Sequence, residues 1–290
     1  MPPCTGPGRL TVLAGSLSLV GLAVLASPAS ATPAPAGTVY VVNAGPGTVS
    51  AISTASDTVT ATIPVGIDPL SAAVTPDGST LYVGNHGSGK VRGSGTVSVI
   101  STATNTVTGI ITVSSPGDEA ISPAGTTLYV GGGSKVYVID LATDAVTATI
   151  GGLDGVHGLA VSPDGSVLYA AQTALDKVSE ISTATSTVFS SFTTPTAPAS
   201  LVIASSGSTA YVTSKAGGDL LVADTLTGAL DATIPTGSSA SGIVLSQDGG
   251  TAYVTNTRSN DVSVINLYDN AVTATVPVGK NPGGIALAAG

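Results

Sequence analysis

The two residues best suited to acid–base chemistry are the adjacent acids Asp118 and Glu119. When the repeats of the chain are aligned on their turns, Glu119 stands where the other repeats carry apolar residues, namely Ala72, Leu159, Leu201, Ile243 and Ile285. A carboxyl group buried at such a position has a raised pKa, which suits a general acid or base. The structural alternative is a local register shift in the segment SSPGDEAIS that turns Glu119 to solvent.

Two histidines and a third acid extend this candidate site. His86 and His157 are the only histidines in the chain, and with Glu119 they are the candidate catalytic residues. Asp118, Glu119 and Asp154 supply the carboxylate oxygens that a divalent cation prefers. No nucleophile motif and no complete metal motif accompanies them, so the sequence predicts no cofactor, with a divalent cation as the alternative.

A repeated unit must position these residues. A tyrosine that opens a short apolar strand recurs at intervals of 42, 47, 40, 42 and 42 residues, at Tyr40, Tyr82, Tyr129, Tyr169, Tyr211 and Tyr253. Only 9% of the residues are charged and 37 are glycines, which favours strands and tight turns. A period near forty with several short strands per unit is typical of a β-propeller. We therefore predict an all-β propeller of six four-stranded blades, with seven as the alternative.

The ends of the repeat suggest how the ring closes. The repeats run from residue 38 to residue 290 as a single domain, and the first unit lacks an inner strand. The segment Gly284–Ala288 is equivalent to Ala72–Thr75, the inner strand of a complete unit. The sequence therefore predicts that a C-terminal strand completes the N-terminal blade and removes the exposed sheet edges.

Charge is distributed unequally between the two rims of such a ring. Every Lys and Arg after residue 31 falls in or beside loops of one rim, at Lys90, Arg92, Lys135, Lys177, Lys215, Arg258 and Lys280. Both histidines fall there too, whereas the opposite rim carries aspartates and no base. Because a rigid scaffold commonly presents its binding groups on loops, this rim is the predicted ligand-binding surface. Its candidate residues are His86, Lys90, Arg92, Asp118, Asp154, Lys215, Arg258 and Lys280. The structural alternative is that the bases only balance acids on the same side.

One loop of this rim stands out by its length. The segment from His86 to Gly95, HGSGKVRGSG, is longer than its counterpart from Ala44 to Gly47. Lys90 and Arg92 in this loop suit the capture of a carboxylate, a phosphate or an anionic polysaccharide. A glycine-rich surface insertion without a role is the alternative. The loop lacks the GK[ST] sequence of a phosphate loop, so nucleotide binding is not predicted.

The first 31 residues have the pattern of a secretory signal peptide. Arg9 precedes an uncharged apolar run from Leu10 to Ala26, and Ala29-Ser30-Ala31 matches a cleavage site. Residues 32–37 form a Pro/Ala linker. Cleavage after Ala31 predicts a secreted or envelope-associated protein without cysteine and without a membrane span, and a retained membrane anchor is the alternative.

The repeats resemble the YVTN β-propeller family, also called YncE-like or surface-layer-like repeats. The resemblance rests on Tyr253-Val254-Thr255-Asn256 and the two strands that follow, with variants at Tyr40-Val41-Val42-Asn43 and Tyr82-Val83-Gly84-Asn85. It covers essentially the whole chain after residue 37. The resemblance implies a propeller fold, usually with seven blades, and no particular activity.

Two functions remain open from the sequence. The first is a secreted, monomeric, non-enzymatic propeller that binds an anionic small molecule, a polysaccharide or an envelope protein through the charged rim. The second, by analogy with secreted propeller enzymes, is a metal-dependent lyase or lactone hydrolase at the channel mouth. Nucleic acid is an unlikely partner, because the formal net charge is −9 and removal of Arg9 makes it still more negative.

Overall fold

In the computed structural model the chain forms six four-stranded antiparallel sheets, as the repeat predicts. The structure describes residues 19–22, 37–53, 56, 58–88 and 95–285. Within these ranges all regular elements are strands, and no helix long and apolar enough to cross a bilayer is found there. The chain is thus a six-bladed β-propeller.

Each blade runs from an inner strand to an outer strand in chain order. The strands of blades 1 to 3 are β1 (Leu19–Leu22), β2 (Thr38–Asn43), β3 (Thr48–Ser53), β4 (Thr58–Pro64); β5 (Pro69–Val74), β6 (Thr80–Asn85), β7 (Thr96–Ser101), β8 (Thr106–Thr112); β9 (Glu119–Ile121), β10 (Thr127–Gly132), β11 (Lys135–Asp140), β12 (Ala145–Ile150). The strands of blades 4 to 6 are β13 (Val156–Val161), β14 (Val167–Gln172), β15 (Lys177–Ser182), β16 (Thr187–Thr193); β17 (Pro198–Ile203), β18 (Thr209–Ser214), β19 (Asp219–Asp224), β20 (Leu230–Pro235); β21 (Ala240–Leu245), β22 (Thr251–Asn256), β23 (Asp261–Asn266), β24 (Ala271–Pro277). Neighbouring inner strands contact one another around the channel, for example β5 with β9 and β13 with β17.

The hydrophobic core lies between blades rather than at a single centre. Each buried cluster draws on two consecutive blades; the cluster of Tyr40 and Val42 with Leu81 and Ile100, for instance, joins blades 1 and 2. The repeated tyrosine serves these junctions, because Tyr40 donates a hydrogen bond to Asn105 Oδ1 at 3.1 Å in the next blade. Tyr82 similarly donates to Asp144 Oδ1 at 3.2 Å. A single blade cannot bury its two faces alone, so each repeated unit needs a neighbouring unit to complete its core.

The last residue of the repeat motif fixes the loops of the rim that carries the bases. Asn85 Nδ2 donates to Ser98 Oγ at 2.9 Å in the neighbouring strand, and its Oδ1 accepts from the Gly66 N–H at 3.0 Å. Gln172 replaces this asparagine in blade 4 and accepts from the Asp154 N–H at 2.8 Å. These amides therefore hold the loops that precede the inner strands.

The turns of the opposite rim use their aspartates structurally, as the Asp-Gly pattern predicts. Asp77 accepts from Thr75 Oγ1 at 2.5 Å and from the Ser79 N–H at 3.0 Å. In the same way, Asp164 accepts from Ser162 and Ser166, and these hydrogen bonds lower the pKa of its carboxyl to about 2. These carboxylates hold their own turns together.

The strand that completes the first blade differs from the prediction. The inner partner of β2 is β1, with Leu19 opposite Asn43 and Leu22 opposite Val41, rather than the segment Gly284–Ala288. Both segments are short and uncharged, and the free edge of β2 accepts any such extended chain, since the ladder is formed by backbone groups. Residues 286–288 of the predicted strand lie outside the described part.

The C-terminal segment up to Ile285 nevertheless lies beside blade 6, at the position where the inner strand of a following blade would begin. Thr213 Oγ1 donates to the Ser241 carbonyl at 2.6 Å, from blade 5 to the inner strand of blade 6. Thr255 Oγ1 makes the equivalent bond to the Gly283 carbonyl, also at 2.6 Å. Gly284 and Ile285 consequently line the channel together with the inner strands.

Candidate functional site

Glu119 lies buried at the junction of blades 2 and 3. It is paired with Val130 in a ladder without a bulge, so the predicted register shift that would turn it to solvent is wrong. The residue is only 8% exposed, and neither carboxyl oxygen has a hydrogen-bond partner among the described residues. A buried polar group without a partner costs free energy and calls for a functional or structural explanation.

A glycine in the neighbouring blade makes room for this carboxyl. A Cβ atom on Gly84 would lie 2.7 Å from Glu119 Oε1 and 2.8 Å from Ser71 Oγ. The equivalent positions of blades 5 and 6 carry Thr213 and Thr255. The carboxyl of Glu119 therefore occupies space that a side chain at residue 84 would fill.

Asp118 points to the other side of the same inner strand. Its Oδ2 accepts a hydrogen bond from the Leu159 N–H at 2.8 Å in blade 4. Burial raises the pKa of Asp118 to about 6, although the hydrogen bonds from the backbone act in the opposite direction. Burial, and then the charge of Asp118, raise the pKa of Glu119 well above its ordinary value. Glu119 is therefore protonated at a pH where ordinary glutamates are charged.

Both acids line a cavity in the channel of about 370 Å³. The inner strands of blades 2 to 6 and the C-terminal segment form its wall, whose lining is about equally polar and apolar, with Leu70, Leu159, Leu201, Ile243 and Ile285 among its aliphatic residues. No Lys, Arg or His is among the described residues of this wall. The cavity thus combines aliphatic side chains with polar groups, two of which are the acids Asp118 and Glu119.

The other predicted site residues lie elsewhere on the rim. His86 Nδ1 is 4.0 Å from Asp68 Oδ2, and both side chains are substantially exposed. His157 lies on the surface of the rim, where partial desolvation of its ring and then the charge of Lys215 lower its pKa. Asp154 is exposed in the loop between β12 and β13, which Gln172 holds.

These groups do not form the centre that the enzyme hypothesis requires. In the described ranges, no three His, Cys, Asp or Glu residues are grouped so that they could hold a metal ion. His86, Asp154 and His157 do not line the cavity that contains Glu119. Of the acids proposed as metal ligands, the structure brings together Asp118 and Glu119 and leaves Asp154 apart.

The described lysines and the arginine of the rim form no ion pair. We call His86, Lys135, Lys177, Lys215, Arg258 and Lys280 the cationic rim. Among the residues described, the only ion pair is the one between His86 and Asp68. Lys135 lies over the ring of Tyr137, with Nζ at 5.0 Å from the ring centre. Lys90 and Arg92 lie outside the described residues.

Neutral donors instead satisfy acids of the same rim. Asp176 Oδ1 accepts from the Ala197 N–H at 2.6 Å, and Asp261 Oδ1 accepts from Asn256 Nδ2 at 2.6 Å. These carboxylates therefore fix loops, and they leave the lysines and the arginine available to other partners.

A second buried glutamate, Glu180, is not among the site residues predicted from the sequence. Glu180 is 6% exposed in β15, and burial raises its pKa although a hydrogen bond from Ser190 opposes this. The signal was present, because the equivalent residues of the other third strands are Ala51, Val99, Val138, Val222 and Val264. Both glutamates of the chain are thus buried at positions where the repeat prefers apolar residues.

The fold and these surfaces define a six-bladed propeller with a cationic rim and a channel that contains two acids. Residues 70–210, slightly less than half of the chain, match the model of a family described as a domain of unknown function, DUF5074. No curated protein matches the sequence.

A solved structure of hydrazine synthase from Kuenenia stuttgartiensis is similar in fold, with a TM-score of 0.79 and 20% identity over 98% of this chain and 93% of that one. At this identity the similarity establishes the propeller fold alone. The resemblance to YVTN repeats stays an interpretation of the residues, since neither comparison names that family.

Proposed function

We propose that this propeller is a secreted, non-enzymatic binding protein of the cell envelope that holds an anionic polysaccharide on its cationic rim. The observation that carries the proposal is that the five described lysines and arginines of the rim form no ion pair. Bases that only balanced nearby acids would be paired with them. Here the acids Asp176 and Asp261 are occupied by neutral donors.

The spacing of the bases favours an extended ligand. Lys135, Lys177, Lys215 and Arg258 stand at equivalent loops of four consecutive blades, so they are spread around the ring rather than gathered in one pocket. A polymer with regularly spaced carboxylates can contact several of them at once, and its affinity grows with the number of simultaneous contacts. A small anion can contact only a few of these bases at once.

A binding role also agrees with the positions of the candidate catalytic groups. Glu119 is sealed between two blades, whereas His86 and His157 lie on the rim. General acid and base catalysis requires groups that reach one substrate together. Dispersed groups favour binding.

The proposal that the protein is exported rests on the signal-peptide pattern of residues 1–31. Cleavage after Ala31 would remove Leu19–Leu22 and leave β2 with a free edge toward the channel. N-terminal sequencing of the exported protein tests this proposal: a chain that begins at Thr32 supports it, and a chain that retains the leader opposes it.

Binding to polygalacturonate, measured by biolayer interferometry, tests the rim. We expect the triple variant Lys177→Gln/Lys215→Gln/Arg258→Gln to bind about tenfold or more weakly, and the affinity of the unmodified protein to fall as salt rises, since exposed charges are screened. The matched control is Thr58→Glu/Thr106→Glu/Thr187→Glu, which changes net charge equally at exposed residues of the opposite rim. Equal losses of affinity in both triple variants would mean that binding depends only on net charge, which would contradict a binding site on the rim.

A further inference from the structure

The strand β1 occupies the inner-strand position of blade 1 with the register of a regular inner strand. It pairs with β2 and contacts β5, the inner strand of the next blade. Leu19 and Leu22, three residues apart, lie opposite Asn43 and Val41, two residues apart. The same offset recurs in the later blades, where the paired residues are Pro198 with Ser214, Leu201 with Val212, Ala240 with Asn256, and Ile243 with Val254.

The C-terminal segment is positioned for the same place in the ring. Thr257 Oγ1 donates to the Pro282 carbonyl at 2.8 Å. At the start of β17, Thr173 Oγ1 donates to the Pro198 carbonyl at 2.6 Å in the same way. Pro282 is therefore the equivalent of the residue that begins an inner strand, and Ile285, three residues further on, lines the channel.

The close approach of this segment to blade 6 supports the equivalence. A Cβ atom on Gly242 would lie 2.5 Å from the Gly283 carbonyl oxygen, and one on Gly158 would lie 2.5 Å from the Ala199 carbonyl oxygen. The chain after Pro282 thus passes β21 as closely as β17 passes β13. Since blade 1 follows blade 6 in the ring, the segment is directed to the edge of β2 that β1 holds.

Only one of the two segments can complete blade 1, because the edge of β2 offers a single row of backbone N–H and C=O groups. In the full chain this edge is paired with β1. After cleavage behind Ala31, β1 would belong to a separate peptide. The C-terminal segment would stay in the same molecule and keep a high effective concentration at the edge. Cleavage therefore shifts the competition toward the C-terminal segment.

We propose that removal of the leader, residues 1–31, triggers a strand exchange in which the segment Gly284–Ala288 replaces Leu19–Leu22 on β2, with Ile285 opposite Val41. The edge of β2 is then covered both before and after processing, which protects the chain from edge-to-edge aggregation at each stage. The exchange rests on the cleavage proposed above, and it is independent of binding at the cationic rim.

Introduced cysteine pairs test the exchange in the full chain. A recognition sequence for a specific protease is inserted after Ala34, so that the leader is cut off whether or not the cell removes it, and Cys4→Ser removes the only native cysteine. Each variant is cut under reducing conditions, freed of the released peptide by gel filtration, and then oxidised. Mass spectrometry of the linked peptides identifies the disulfide.

The two competing pairs share one residue of β2. Leu22→Cys/Val41→Cys is expected to crosslink before cleavage, because directly opposite residues are close enough for a disulfide. Val41→Cys/Ile285→Cys is expected to crosslink only after cleavage. The matched control is Leu201→Cys/Val212→Cys, the equivalent pair of blade 5, which should crosslink in both forms. Crosslinking of Val41 to Ile285 before cleavage, or none after it, would overturn the exchange. Disulfide-linked dimers would also overturn it, since they would assign the edge to a second copy of the chain.

A chain that ends at Gly283 gives a second test without cysteines. We expect cleavage to lower the Tm of this shortened chain by more than it lowers the Tm of the chain that ends at Gly290, because only the longer chain can cover the edge of β2 again. Equal changes in Tm on cleavage would contradict the exchange.

Discussion

Replacement of Glu119 by leucine is expected to stabilise the protein by about 1–3 kcal/mol near neutral pH. Both carboxyl oxygens of Glu119 are buried without a partner in the described part of the chain, so the folded state bears a desolvation cost that an aliphatic side chain does not. Leucine already occupies the equivalent position in blades 4 and 5, at Leu159 and Leu201. Urea denaturation of the two proteins gives the difference in the free energy of unfolding.

The stabilisation should depend on pH with a defined sign. The pKa of Glu119 is raised in the folded state, so above its unfolded pKa, about 4.5, the folded protein holds a proton that the unfolded chain releases. The stability of the unmodified protein therefore falls as pH rises from there, by up to about 1.4 kcal/mol per pH unit, until the folded pKa is reached. The advantage of Glu119→Leu should grow over the same interval.

Comparing the variant with the unmodified protein at each pH cancels most of the other titrating groups. Burial also raises the pKa of Asp118 to about 6, so a fall in stability up to that pH should remain in the Glu119→Leu variant. Glu119→Gln is the matched control, because it cannot ionise but keeps a buried polar group. A Glu119→Leu variant less stable than the unmodified protein at every pH would contradict an unpartnered carboxyl.

The second large effect is expected for Gly84→Thr, which introduces the side chain found in blades 5 and 6. The new Cβ would lie 2.7 Å from Glu119 Oε1 and 2.8 Å from Ser71 Oγ, and because both side chains are buried, neither can move aside freely. Overpacking of this kind costs about 1–3 kcal/mol. Urea denaturation should show a loss of that size.

The double variant Gly84→Thr/Glu119→Ile should recover this loss, because it reproduces the pairing of Thr213 with Ile243 and of Thr255 with Ile285 in the later blades. Threonine also has a higher strand propensity than glycine. A double-mutant cycle is expected to give a coupling energy of about 1–3 kcal/mol. Additive effects of the two substitutions would mean that Gly84 and Glu119 do not share one space.

Much of the fold could be predicted from the spacing of the tyrosines. A residue that recurs about every forty positions must serve one purpose in each unit, and Tyr40 and Tyr82 indeed bond to the following blade. The closing strand could not be predicted. Leu19–Leu22 and the C-terminal segment are both short and uncharged, and a backbone ladder does not discriminate between such sequences.

The candidate site was predictable in part. The exceptional position of Glu119 is visible when the repeats are aligned, but its burial depends on the space that Gly84 leaves in another blade. That relation appears only when inner strands of neighbouring blades are placed side by side. The separation of His86 and His157 from the channel likewise depends on loop geometry, which the order of residues does not contain.

Carbon NMR measures the protonation state of Glu119 directly. The chain contains only two glutamates, Glu119 and Glu180, so a protein labelled with ¹³C at the glutamate carboxyl gives two resonances, which Glu119→Gln assigns. We expect the Glu119 signal to titrate well above 4.5, so that it keeps the chemical shift of a protonated carboxyl where ordinary glutamates are already charged. Titration of Glu119 near its ordinary value of 4.5 would contradict a buried, unpartnered acid in the channel.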